Sequence, residues 1–133
     1  MDAISEHIKA RPEVKKVYLI HQDYIFGHSC SEVIKEMLAA KRPDIEIVGD
    51  TFHPLGKVKD FSPYIAKIQA SGADVVVTGN WGLDMQLLVK AAKEAGLEAE
   101  FYTFYGGGLG GPSGIGAAGE NRVKQVTEWH NNL

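Results

Sequence analysis

The chain has 133 residues, 44% of them hydrophobic and 23% charged, with a formal net charge of -3 and an isoelectric point near 5.9. That length suits one globular domain with a sizeable core, and the mild acidity excludes a nucleic-acid surface, which needs concentrated Lys and Arg. No run reaches the roughly eighteen apolar residues of a membrane span, the start MDAISEHIKARPEVKK has no apolar core followed by a cleavage site, and a single cysteine, Cys30, excludes an internal disulfide.

In chain order, Ile4 and Ile8 stand four residues apart in the stretch Met1 to Arg11, enough for a short amphipathic helix that Pro12 ends. Val17, Tyr18, Leu19 and Ile20 form a continuous apolar run, as in a strand buried on both faces of a parallel sheet. The run stops at His21, Gln22, Asp23 and Tyr24. The turn there belongs at the carboxyl end of a central strand, the edge where open α/β sheets bind ligands. Cys30, Val33, Ile34, Met37 and Leu38 follow helical spacing and predict a helix from about Gly27 to Lys41 with that stripe facing the sheet. Arg42, Pro43 and Asp44 break it. Ile45 to Phe52 alternates apolar with polar residues, as in a strand nearer the sheet edge, and leaves through a loop from His53 to Asp60. Asp44, Glu46, Asp50, Lys57, Lys59 and Asp60 read as solvated edge charges.

Ser62 followed by Pro63 reads as an N-cap with proline at the first helical position. Phe61, Ile65 and Ile68 supply that helix with an inward face, and Gly72 closes it. Asp74 to Gly79, DVVVTG, repeats the pattern of the first strand and predicts a second central one. Met85, Leu88, Val89 and Ala92 stripe the next helix, and Gly96 stands where a left-handed C-terminal residue is wanted. Glu100 to Phe104 reads as a fourth strand. Residues 105–121 form a glycine-rich loop, and Arg122 to Trp129 alternates as in a final strand.

The sum is β-α-β-α-β-α-β, a doubly wound, flavodoxin-like α/β sheet in the order 2-1-3-4 with helices on both faces, in a single unit over residues 1–133. Order reverses between the first and third strands. The crevice there collects His21 to Phe26 from one and Gly79 to Leu83 from the other, with Tyr105 beside them. Tyr24, Phe26, Trp81 and Tyr105 thus cluster at one rim, and His21, Asp23 and Asn80 are the polar candidates next to them. An apolar cleft with a few convergent polar groups is the general form of a small-molecule site, although aromatic residues at strand ends also serve simply to cap a core.

Other chemistries fit less well. Gly106, Gly108 and Gly111 match G-x-G-x-x-G, but Pro112, Ser113 and Gly114 prolong the loop where a dinucleotide site starts a helix, and the match follows the fourth strand instead of the first. No Lys-Ser or Lys-Thr follows for a phosphate loop. His21, Asp23 and His28 match no standard metal spacing. Cys30 belongs to an inward helical stripe, so it reads as a buried structural thiol and not as a nucleophile. Ser29, Ser71 and Ser113 lack the G-x-S-x-G setting of a hydrolase elbow. No catalytic constellation remains.

The segments KKVYLIHQDYIFGHS and DTFHPLGKVKDFSPYIAKIQASGADVVVTGNWGLDMQLLVKAAKEAGL resemble the type I periplasmic solute-binding proteins of the branched-chain amino acid transport group. The likeness runs from about Lys15 to Trp129. It rests on D-x-x-x-G after a strand (Asp23 to Gly27), on K-D-F-S-P-x-I (Lys59 to Ile65), and on an A-D-V-V strand followed by a helix. The resemblance implies one lobe, the second, of a two-lobe receptor that traps its ligand between closing lobes, with the first lobe contributed by other parts of the parent chain. It further implies a periplasmic or extracellular location, a membrane ABC permease as partner, no cofactor and no catalysis. By position it carries ligand contacts onto Phe26, Trp81 and Tyr105. Tyr105 stands where the amino-acid binders present an acidic residue to the ligand ammonium, so the half-site suits an aromatic acid or amide at least as well as an amino acid. Two alternatives share the same rim: the ligand-sensing domain of a receptor, and a small flavodoxin-like enzyme using a nucleotide or flavin.

Overall fold

Two uninterrupted apolar runs, one before His21 and one before Gly79, set the middle of the sheet. The computed structural model of the chain describes residues 2–103 and 123–125. Its strands are β1 (Lys16–Gln22), β2 (Glu46–His53), β3 (Val75–Thr78), β4 (Glu100–Thr103) and β5 (Val123–Gln125). Its helices are α1 (Asp2–Lys9), α2 (Ile25–Lys41), α3 (Ser62–Ser71) and α4 (Gly82–Glu94). The order across the sheet is β2-β1-β3-β4-β5 and every neighbouring pair is parallel. The expected order 2-1-3-4 is therefore present, extended by β5 within the stretch expected as a final strand. Phe104, Tyr105 and the glycine-rich segment 105–121 lie outside the described residues.

Because successive strand residues point to opposite faces, β1 and β3 feed two cores. Val17, Leu19, Val75 and Val77 pack under α1 and α2 against Ile4, Ile8, Ile34 and Leu38. Tyr18, Ile20 and Val76 pack on the other face against Phe61, Ile65 and Ile68 from α3 and its entry, and Met85, Leu88 and Val89 from α4. Arg42 closes the first layer by donating to the carbonyls of Ile8, Arg11 and Val14 while pairing with Asp44. Gly72 and Gly96 end their helices with φ of 71° and 72°, the left-handed conformation expected of Gly96 and shared by Gly72.

The pairing of β1 with β2 carries one irregularity. Val17 opposes Ile47 but Tyr18 opposes Gly49, so Val48 is an extra residue in β2. The Tyr18 ring lies over Gly49, where a Cβ would come within 2.2 Å of the ring, and its hydroxyl meets Thr51 Oγ1 at 2.7 Å.

Four expectations are corrected. β1 does not stop at Ile20: His21 and Gln22 continue it fully buried, because His21 Nδ1 accepts from the Gly79 amide just past β3, Gln22 Nε2 donates to Asp84 on α4, and the ladder to β2 runs on to His53. α2 starts at Ile25, and Val33 is exposed. The inward face is narrower than the apolar stripe and runs through Gly27, Cys30, Ser31, Ile34 and Leu38. Ser62 is not the N-cap of α3. Phe61 holds that position, and Asp60 Oδ1 accepts from both the Ser62 amide at 2.9 Å and its hydroxyl at 2.6 Å. Asp50 is not simply a solvated charge, since it accepts from Ser31 Oγ at 2.8 Å and pairs with Lys35.

Candidate functional site

The carboxyl ends of β1 and β3 are alike in construction. Each strand is followed by a short polar turn and an aromatic residue in extended conformation that serves as the N-cap of the next helix: Tyr24 before α2 and Trp81 before α4. Neither cap uses its side chain on its own helix, so both rings are free to reach across the crevice. They meet there. Trp81 Nε1 donates to Tyr24 Oη at 2.9 Å, and Phe26, half-buried in the first turn of α2, lies with its ring 6.1 Å from that of Tyr24.

The rim is unusually apolar for an exposed edge. Trp81 is 44% exposed, and its neighbours at the two helix starts, Ile25 and Leu83, are 86% and 64% exposed. Apolar side chains gathered in water at one edge are a form that contact surfaces take. Asp23 and His28 add polar groups at the same edge: His28 Nε2 and Asp23 Oδ1 are 2.7 Å apart, and the imidazole stacks on Phe52 at 3.9 Å.

Beneath the rim is a polar floor. On the α2 face, the Gly79 amide donates to His21 Nδ1 at 2.8 Å. That bond leaves the neutral ring its proton on Nε2, which has no partner among the described residues. Burial lowers the His21 pKa to about 4. Cys30, also inward, has its thiol pushed up to about 11 by the same desolvation, as suits the structural thiol expected of it. On the opposite face, His53 Nδ1 lies 3.1 Å from the Pro54 carbonyl oxygen and its Nε2 lies 3.0 Å from Asn80 Oδ1. Gln22 Nε2 donates to Asp84 Oδ2 at 2.7 Å, and the Gly56 amide donates to the same oxygen at 2.9 Å.

The structure therefore brings Tyr24, Phe26, Trp81 and Asp23 together at the surface. It places His21 and Asn80 directly below, fully buried, where they brace the rim from inside. Tyr105 lies outside the described residues. Sequence reasoning missed Gln22, His53 and Asp84 as parts of this floor. Their partners are 27 to 62 residues away in the chain, and no local pattern announces them. Among the described residues no group of three or more His, Cys, Asp or Glu converges as a metal set.

The profile of the periplasmic binding protein family matches residues 1–133. The Leu/Ile/Val-binding protein homolog 4 of Brucella abortus is 44% identical over 105 residues, covering 79% of this chain and 24% of the relative. The leucine-, isoleucine-, valine-, threonine- and alanine-binding protein of Pseudomonas aeruginosa is 29% identical over 110 residues, 82% of this chain and 26% of its own length. Among solved structures, the leucine-, isoleucine-, valine-, threonine- and alanine-binding protein of Brucella ovis, in its closed conformation, superposes with a TM-score of 0.81. It is 37% identical and covers 89% of this chain and 30% of that protein. A Rhodopseudomonas palustris solute-binding protein in complex with 4-hydroxybenzoate shares the fold with a TM-score of 0.68 at 24% identity, over 77% of this chain and 28% of that protein. The chain thus spans about a quarter of the length of the curated relatives it matches. With a match along its whole length, this chain belongs to the periplasmic binding protein family, in the type I, branched-chain amino acid group.

Proposed function

We propose that residues 1–133 form one lobe, the second, of a two-lobe solute receptor that delivers a small carboxylate to an ABC importer, without catalysis and in the periplasm. The observation that carries this reading is the hydrogen bond between Trp81 and Tyr24 across the crevice, which holds a large, partly exposed apolar wall at the edge where open α/β sheets bind ligands. Tyr24, Phe26 and Trp81 supply flat contact area at small entropic cost. Asp23 supplies charge at the margin, and His21 and Asn80 fix the strand ends below. Tyr105 is proposed as a further wall by its place in the sequence.

Such a half-site works by closure. The ligand contributes contacts to the closed state that the open state lacks, and so shifts an existing equilibrium between them. The names of the relatives support two ligand classes, branched-chain amino acids and aromatic acids, and the aromatic rim accommodates either. The test is calorimetric titration of the whole parent receptor with L-leucine, L-valine, benzoate and 4-hydroxybenzoate, with and without Trp81→Ala. Loss of a buried aromatic anchor is expected to weaken the bound ligand by about 1–3 kcal/mol. Unchanged affinity would remove Trp81 from the site.

A further inference from the structure

We propose that Asp84 is the positioning residue of this rim: through one carboxylate oxygen it fixes the height of Trp81 and brings the turn after β2, with Leu55 at its tip, to the crevice as an additional apolar wall. Asp84 lies in the first turn of α4, three residues after Trp81, and is only 3% exposed. A buried carboxylate needs partners, because an unpaired one in a core is strongly unfavourable. Among the described residues no cation pairs with it. Instead the Gln22 side chain and the Gly56 amide both donate to Oδ2, and the helix N-terminus favours a negative charge at that place.

Three separate elements therefore converge on a single atom. Gln22 ends β1, Gly56 lies in the turn between β2 and α3, and Asp84 itself opens α4. The Gln22 amide also donates to the Trp81 carbonyl at 3.4 Å, so the residue that carries the wall is bound to the strand end through its backbone as well as through Tyr24. Gly56 has a φ of 66° and holds the turn in a conformation that side-chain-bearing residues seldom adopt. The hydrogen bond from its backbone amide to Asp84 ties that turn to α4. Leu55, next to it, is one of five large apolar side chains left exposed among the described residues. The inference deepens the ligand-cleft reading and rests on it for the role of the rim, but the clasp itself can be examined with no ligand present.

The experiment is solution NMR on the 133-residue chain, comparing the unmodified protein with Asp84→Asn, Asp84→Leu and Gln22→Met. Both bonds end on one oxygen, and the Asn carboxamide oxygen can accept them both. Asp84→Asn is therefore expected to keep the Trp81 indole resonance in place and to keep the Gly56 amide protected about tenfold or more over its free-chain exchange rate. Asp84→Leu is expected to move the indole resonance and abolish that protection, and Gln22→Met to move the indole resonance while leaving Gly56 protected. An unprotected Gly56 amide in the unmodified chain would overturn the proposal. So would a folded Asp84→Leu protein with both signals unchanged. Should Asp84→Leu fail to fold, the other two variants decide: an unmoved indole in Gln22→Met, or loss of both signals in a folded Asp84→Asn, overturns it. None of these outcomes depends on the ligand titration, so the clasp and the cleft fail separately.

Discussion

Trp81 and Tyr24, 57 positions apart in the chain, are joined by a hydrogen bond of 2.9 Å from indole to phenol, and each is the residue that starts the helix after a central strand. The two central βα units are tied at their equivalent points. In the proposed receptor a ligand arriving at the crevice would meet a surface already assembled, which lowers the ordering cost of binding.

The phenol oxygen is the part of Tyr24 that this bond requires. In the parent receptor, Tyr24→Phe is expected to lower ligand affinity by about 0.5–1.5 kcal/mol, the range for one hydrogen bond, and so by less than removal of the Trp81 ring. Titration calorimetry measures it. Affinity equal to that of the unmodified receptor would show that the bond does not hold the wall.

His21 predicts an acid-dependent stability. Its pKa in the folded chain is about 4, below the ordinary 6.5, because burial disfavours the imidazolium. The unfolded chain binds the proton more readily, so the contribution is complete above the ordinary pKa and is lost as pH falls from there toward the folded value. The loss amounts to about 2 kcal/mol by pH 5. His21→Asn keeps an acceptor for the Gly79 amide but does not titrate. Urea midpoints at neutral pH and near pH 5 should therefore differ more for the unmodified chain than for this variant, and parallel behaviour would place the titration elsewhere.

Gly27 is where α2 presses on the end of β1. A Cβ there would lie 1.9 Å from the backbone oxygen of Gln22, and a backbone atom in a paired strand cannot step aside as a side chain does. Gly27→Ala is accordingly expected to destabilise the chain by about 3 kcal/mol, at the upper end of overpacking costs, despite the better helix propensity of alanine. Thermal unfolding followed by circular dichroism reads the change. A melting temperature equal to or above that of the parent would refute the close contact.

Cys30 should be inert. Raising its pKa from 9.0 to about 11 reduces the thiolate fraction near pH 8 about a hundredfold, and burial adds a barrier to access. Reaction with a thiol reagent is expected to be slow in the native chain and rapid in denaturant. Comparable rates in both would show that the α2 face opens readily.

Much of this fold was legible in the residues. The valine run before Gly79 and the run Val17 to Ile20 have no polar interruption, which only a strand covered on both faces tolerates, and both proved central. Gly72 and Gly96 were legible because a left-handed helix end has few chemical alternatives. The rim aromatic residues that can be described, Tyr24, Phe26 and Trp81, followed from strand ends and order reversal alone. What escaped was the floor. His21 and Gln22 read as a turn because polar residues ordinarily leave the core, and what keeps them in is a set of bonds to Gly79 and Asp84 that exists only after folding. Val33 was misplaced for a related reason: an apolar stripe shows which residues are able to face a sheet, whereas the width of the contact depends on the neighbours.

The extra residue at Val48 acts as a change of phase. Up to Ile47, β2 alternates in step with β1; past it, each following side chain is carried to the opposite face from the one uninterrupted alternation would give. That inversion is why His53 lies with Asn80 on the α3–α4 side while Phe52 turns toward His28 on the α2 side. Were Val48 instead taken into the ladder opposite Tyr18, the two rings would exchange faces, setting a phenyl against the Asn80 amide and an imidazole under α2. The polar arrangement below Trp81 thus depends on one residue staying out of the ladder on the neighbouring edge strand: loss of the bulge with Val48 retained would rewrite the site without altering any residue in it, whereas deletion of Val48 would leave each later pairing as it is.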